Sequence, residues 1–160
     1  MLGSFQHSRD NVQAGVTFNV ANGKGITLFN DTAGAIAKGQ IVLIGYDVDG
    51  NDGLLEGVQC IACATNSFVI YTAVAMEIVA VDAIGYFQVS GVCSYALVDG
   101  TADVVAGDFL EVINAGEAMI KAGASRTLGS CAIALGAMAT DAGTATPVLL
   151  IGEPHTIESS

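Results

Sequence analysis

The residues of this 160-residue chain that could do chemistry are four cysteines, two histidines and sixteen carboxylates. Cys60-Ile61-Ala62-Cys63 has the spacing of a redox dithiol or of half a zinc site. A zinc set needs a second such pair or two close histidines. Cys93 and Cys131 stand singly, and His7 and His155 lie at opposite ends of the chain. The run around Cys60 reads as a strand, and strand residues three apart point to opposite faces, so the two thiols are separated. The thiols are therefore expected to be buried or half-buried and inert. Asp47-Val48-Asp49-Gly50-Asn51-Asp52-Gly53 shares its opening with a calcium loop. Its sixth position is Asp52 where glycine belongs, its twelfth is Val58 where glutamate belongs, and strands flank it instead of helices. A carboxylate-rich β-turn accounts for it, with calcium as the secondary reading. A Ser or Cys nucleophile needs a base, and the commonest near neutral pH is histidine. Both histidines fall in terminal segments, and no nucleophile elbow, P-loop, HExxH or GxGxxG leading into a helix is present. Many of the carboxylates sit beside glycine in turns, where they are solvated. The expectation is a protein that is not an enzyme and holds no metal and no cofactor.

The elements that carry these residues follow from composition and spacing. Hydrophobic types make up 52% of the chain and charged types 13%, which excludes a disordered chain. Five Lys and Arg against sixteen Asp and Glu give a net charge of −11, which excludes a grip on nucleic acid. The opening MLGSFQHSRDNVQAG lacks the basic-then-apolar layout of a secretory signal, so synthesis in the cytoplasm with reduced thiols is expected. Gly57 to Met76 carries no charge and is long enough to span a bilayer. It holds Gln59, Thr65, Asn66, Ser67 and Thr72, and Glu56 and Glu77 flank it without Lys or Arg anchors. Two buried strands turning at Asn66-Ser67 fit it better, and no membrane span is expected.

Short runs rich in Val, Ile, Ala and Leu, punctuated by Gly, Asp and Asn, favour strands over helices. The runs predict strands at Gly15–Val20, Gly25–Phe29, Gln40–Tyr46, Val58–Thr65, Phe68–Ala75, Gly85–Val92, Phe109–Asn114, Ala118–Lys121, Cys131–Ala137 and Pro147–Gly152. Asn22-Gly23, Asp49-Gly50, Asp52-Gly53, Asp99-Gly100 and Ala115-Gly116 supply turns between them. Ala122–Ala142 has room for one short helix between its glycines. Many short strands with closely spaced turns give an all-β fold class, a barrel or a sandwich, with an extended N-terminal arm.

The arm is placed at residues 1–29 and a single β domain at 30–160. Within that domain the chain weakly repeats itself. Ala37-Lys38-Gly39-Gln40-Ile41-Val42 parallels Val105-Ala106-Gly107-Asp108-Phe109-Leu110, and Val74-Ala75-Met76 parallels Gly136-Ala137-Met138. Two similar lobes, 30–91 and 92–152, are one explanation, and the general likeness of glycine-rich β sequences is the other. In the arm, Val16, Phe18 and Val20 alternate with polar residues, the pattern of a short amphipathic strand that can add to a sheet edge of another chain. Elsewhere the alternation seldom supplies a polar partner for each apolar residue. Both faces of many strands must then be covered, by self-association or by docking on a larger protein surface.

The segments NDTAGAIAKGQIVLI (30–44), AVAMEIVAVDAIGYFQVSGV (73–92), ADVVAGDFLEV (102–112) and ALGAMATDAGTATPVLLIG (134–152) resemble, in this order, the small β-rich capsid decoration or cement proteins of tailed bacteriophages. The chain departs from that pattern at Val79-Ala80-Val81, where the family has an Ala-Gly turn, and in its acidic turn Asp47–Gly53 and N-terminal arm. The resemblance implies a compact β-barrel or β-tulip-like domain that forms a homotrimer on the outer surface of the expanded capsid and is made in the host cytoplasm. Such a protein bridges neighbouring copies of the major capsid protein and stabilises the head. It implies that the arm, with Val16, Phe18 and Val20, orders on the shell by adding a strand. The competing reading is a phage tail or fibre component, or a β module that binds a host-surface glycan.

Overall fold

The structure, a computed structural model, describes residues 13–46, 53–58, 72–112, 118–122, 130–138 and 143–151. Among them are ten strands and no helix, so the chain is all-β. The strands are β1 Thr17–Val20, β2 Gly23–Asn30, β3 Ile41–Tyr46, β4 Leu55–Val58, β5 Thr72–Ala75, β6 Ile84–Asp99, β7 Phe109–Val112, β8 Met119–Lys121, β9 Ser130–Ala134 and β10 Thr144–Leu150. Among the described residues no helix is long and apolar enough to cross a membrane.

The pairings close on themselves. β2 pairs with β4, β4 with β3, β3 with β5, β5 with β6, and β6 returns to β2, which makes a five-stranded barrel. The second half of the chain follows the same scheme: β6 pairs with β8, β8 with β7, β7 with β9, β9 with β10, and β10 returns to β6. In each ring one pairing is parallel, β2 with β4 and β6 with β8, and the rest are antiparallel. Closure removes the open edges that a flat sheet of this size would expose. The two rings share β6, whose first part serves one and whose last part serves the other.

The correspondence holds residue by residue. Val42 pairs with Ala73 as Leu110 pairs with Ala132. Ala75 pairs with Phe87 as Ala134 pairs with Val148. The isolated bridge Ile36–Val79 has its counterpart in Val104–Met138. Inward-facing side chains fill each ring. Leu28, Ile36, Val42, Ala73, Ala75, Val79 and Phe87 form one core. Ala96, Val98, Leu110, Met119, Ala132 and Val148 are part of the other, and Ile41 and Val74 from the first half join it.

The strand–turn junctions also repeat, but with different chemistry. In the first half, the Ala37 N–H donates to Gln40 Oε1 at 2.9 Å, and Asn30 Oδ1 accepts from the Thr32 N–H at 2.9 Å. In the second half, the Val105 N–H donates to Asp108 Oδ2 at 2.8 Å, and Asp99 Oδ1 accepts from the Thr101 N–H at 2.9 Å. Amides hold the turns of one half and carboxylates those of the other. Bonds from Thr101, first its hydroxyl, hold the Asp99 carboxyl below its ordinary value, and the Val105 N–H, then Lys121 at 2.9 Å, does the same for Asp108.

Several expectations are corrected. Residues 23–29, placed in the arm, are β2, because Gly25, Thr27 and Leu28 are buried between β1 and β6. The strand expected to end at Val92 runs through to Asp99 as one 16-residue strand. Gly91, at φ +87°, redirects β6 without ending it, because β2 pairs with β6 up to Gly91 and β10 pairs with it from Gly91 onward. Within Ala122–Ala142 the described residues form β9 instead of a helix, while 123–129 and 139–142 lie outside the described residues. Cys60, Cys63, His7, His155, the turn at Asn66-Ser67 and residues 47–52 of the acidic turn also lie outside them. Cys93 is buried, and burial pushes its thiol above the ordinary value.

Two outcomes are expected. A side chain at Gly91 would overlap the Asn22 carbonyl, and its φ disfavours any L-residue. Gly91→Ala should therefore cost about 2–4 kcal/mol in urea unfolding, by forced backbone displacement and left-handed strain. Asp99 and Asp108 titrate below their unfolded value of 3.8, so their contribution is complete above that pH and is lost as pH falls through the lower folded values. Amide exchange at pH 3, compared with pH 7 after correction for intrinsic rates, should show β7 and the β6–β7 turn losing protection before β2 and β3. Asp99→Asn with Asp108→Asn should remove the difference.

Candidate partner-binding surface

β1 is a hairpin strand turned back onto β2 at Ala21-Asn22, with Thr17 opposite Ile26 and Val20 opposite Gly23. Among the described residues it pairs on one side only. Its entry is tied by Thr27, a buried residue. The Thr27 hydroxyl donates to the Gln13 carbonyl at 2.6 Å and accepts from the Val16 N–H at 2.9 Å. The backbone adds Gly15 N–H to the Thr27 carbonyl at 2.6 Å and Thr27 N–H to the Val16 carbonyl at 3.0 Å. The lead-in to the arm is thus fixed to the barrel by four bonds to one residue.

The three residues expected to meet a partner lie differently. Val16 is 49% exposed. Phe18 is half-buried, because its ring occupies the space over Gly25 that any side chain there would fill, and stands edge-on to Tyr86 with centroids 5.4 Å apart at 84°. Val20 is half-buried beside the turn. Tyr86 is itself 43% exposed. Phe18 and Tyr86 therefore meet on the β1–β2–β6 side of the first barrel, with Phe18 anchoring the hairpin and Val16 and Tyr86 exposed.

A second exposed feature becomes visible only with the register. Phe18, Gly25, Gln88, Val74 and Ile41 are opposite one another across β1, β2, β6, β5 and β3. This is an outward row of the first half, and it is covered. Ile41 and Val74 are fully buried in the other core, and Gln88 is 2% exposed. Gln88 Oε1 accepts from the Tyr95 hydroxyl at 2.9 Å, and its amide donates to the Ser90 and Val92 carbonyls at 3.1 and 3.0 Å. Lys38 lies over the Tyr95 ring, 5.2 Å from its centroid. Burial, and then the neighbouring Cys93, push the Tyr95 phenol well above its ordinary value, so it stays a hydrogen-bond donor at neutral pH.

In the second half the matching row is Val92, Leu149, Ile133 and Phe109. All four are apolar. Val92 is 41% and Leu149 37% exposed, and Ile133 and Phe109 are half-buried. Residue-by-residue reading of the sequence missed this row. Its signal was the unbroken run Pro147-Val148-Leu149-Leu150-Ile151, in which both faces of the strand are apolar.

No protein-family model matches this sequence, and no curated protein matches it.

Phe18→Ala should loosen the hairpin at a cost of about 1–3 kcal/mol, less than full removal of a core phenylalanine because the ring is half-buried. Urea unfolding measures the loss. Amide exchange of Lys24 to Thr27 should quicken beyond the change elsewhere.

Proposed function

We propose that this chain is a capsid decoration protein of a tailed bacteriophage. It binds the outer surface of the expanded shell and stabilises it by bridging neighbouring copies of the major capsid protein. The observation that supports the reading most is β1: a short strand, fixed to a closed barrel, with one side unpaired among the described residues and an exposed Val16 at its start. Such a strand can extend a sheet of another protein through main-chain bonds, while Val16 and Val20 supply side-chain contacts. The closed double ring is a stiff base for that contact, so little conformational freedom is lost on docking. The ordered segments of the resemblance, from Asn30 to Gly152, support the same class of protein. A net charge of −11 suits a protein that stays on the outside of a shell filled with DNA.

The work is mechanical. Each contact is of modest strength, and an assembly that engages several capsid subunits at once multiplies it through effective concentration. Val16→Lys keeps the backbone bonds to Thr27 and places a charge in the proposed contact. Co-sedimentation with undecorated, expanded shells should show saturable binding by the parent chain and raised heat resistance of the shells. Binding by the variant should fall at least tenfold with the chain's own melting unchanged. Equal binding by the two would remove β1 from the contact. Absence of binding by the parent chain would favour the tail, fibre or glycan-binding reading.

A further inference from the structure

Asn22-Gly23 is the one place in the chain where asparagine precedes glycine. In that dipeptide no side chain hinders attack of the glycine nitrogen on the asparagine side-chain amide. The reaction needs neither enzyme nor cofactor, only a peptide plane that is free to turn. Asn22 stands exposed in the β1–β2 turn, so solvent reaches it.

The fold holds this peptide on both sides. The Asn22 carbonyl accepts from the Val92 N–H of β6 at 2.9 Å. The Thr27 N–H donates to the Val16 carbonyl at 3.0 Å, and the alternation of an antiparallel ladder then makes Phe18–Gly25 and Val20–Gly23 the bonded pairs of β1 and β2. The Gly23 N–H is thus directed at the Val20 carbonyl. A peptide unit is planar, so its carbonyl and its N–H turn together. Carrying the Gly23 nitrogen to the Asn22 side chain breaks the bond to β1 and the bond to β6 at once. The surrounding backbone leaves no slack: a side chain at Gly91 would overlap the Asn22 carbonyl, and one at Gly23 would overlap the Ser90 carbonyl.

We propose that Asn22 is a self-modification site, held back by closure of the β1 hairpin against β6, whose conversion releases the hairpin and the β6 bend. The Gly23 nitrogen gives its proton to solvent base and bonds to Asn22 Cγ. The Cγ–Nδ2 bond breaks, ammonia leaves with a proton returned from solvent, and a five-membered succinimide joins the two residues. Water then opens the ring at either carbonyl. One product is aspartate on the original backbone. The other is isoaspartate, in which the main chain runs through Cβ and Cγ and is one atom longer. Nothing is oxidised or reduced, and water is the sole co-reactant. The longer main chain is what the crossing cannot take. A two-residue turn fixes the Val20–Gly23 register, and an added backbone atom displaces either Gly23 from Val20 or the carbonyl that Val92 uses. Both products add a negative charge, but only isoaspartate alters the path of the chain, so release follows from it alone. The inference concerns the isolated chain and does not rest on the capsid reading.

Incubation of the purified full chain at mildly alkaline pH, folded and in urea, with peptide mapping by mass spectrometry, tests it. In urea the first amide converted to acid should be Asn22, and in the folded chain its conversion should be at least tenfold slower. Phe18→Ala, which loosens the hairpin without touching the reacting atoms, should speed conversion in the folded chain. Asn22→Gln, whose longer side chain disfavours ring closure, should abolish it. The isoaspartate form, made in urea, separated by its added charge and refolded beside the parent, should show faster exchange of the Val92 amide and of Lys24 to Thr27, and a lower melting temperature. Failure of that form to refold where the parent does would be the same release in full. Asn22→Asp should match the parent in exchange and melting. Earlier conversion of another asparagine in urea would overturn the site. Equal rates in the folded chain and in urea, or a Phe18→Ala chain no faster than the parent, would overturn the restraint. An isoaspartate form with the parent's exchange and melting would overturn the release.

Discussion

The backbone crossing of Gly23 and Gly91 is the constraint on which the rest of the structure depends. A side chain at Gly23 would overlap the Ser90 carbonyl, and one at Gly91 would overlap the Asn22 carbonyl. The Val92 N–H donates to the Asn22 carbonyl at 2.9 Å. Here β6 leaves the first ring and enters the second, and the β1–β2 turn crosses beside it. A bend at this point lets one strand pair with β2 and β5 on one side and with β10 and β8 on the other. Without a bend, β6 would run straight past the first ring and could not also close the second. The buried Gln88 amide then ties the two sides of the bend, through the Ser90 and Val92 carbonyls and the Tyr95 hydroxyl. Each of these polar groups has a partner, so the junction is held without leaving a dipole stranded in an apolar interior.

One pairing scheme used twice in one chain cannot give two identical environments. The two rings share a strand, so they must lie side by side, and one outward face of the first is covered by the second. Covering changes what residues are tolerated there. Ile41 and Val74 belong to the neighbouring core, and a polar residue is accepted only as Gln88, where Tyr95 and two carbonyls satisfy it. The turn chemistry differs in the same asymmetric way. Gln40 and Asn30 hold the first half with neutral amides, while Asp108 and Asp99 hold the second with carboxylates. The hydrogen bonds are equivalent in geometry, but only the second pair depends on pH.

The all-β class was legible because β-branched runs and turn dipeptides agree with each other along the chain. Asn22-Gly23 marked the β1–β2 turn. The length of β6 was not legible. Gly91 reads as a stop when only local propensity is considered, and pairing with β2 before it and β10 after it carries the strand through. β2 was legible as a strand at Gly25–Phe29, but its place in the barrel was not, because that depends on pairing with β4 and β6, while Gly25 lies under the Phe18 ring. The alternation of Val16, Phe18 and Val20 identified a strand but not its partner. That partner is β2 of the same chain, and among the described residues the other edge of β1 is unpaired. The row through Leu149 lay beyond any local pattern, because a row is a property of register and its members come from four separate strands.

The two surfaces differ in the physical nature of the contact each can make. At β1 the available groups are main-chain donors and acceptors along an edge, which bind another strand with little regard to its side chains. At the Leu149 row the main chain is already paired on both sides, with β6 and with β9, and only apolar side chains face outward. An edge of that kind takes a strand, whereas the row leaves no main-chain group for one.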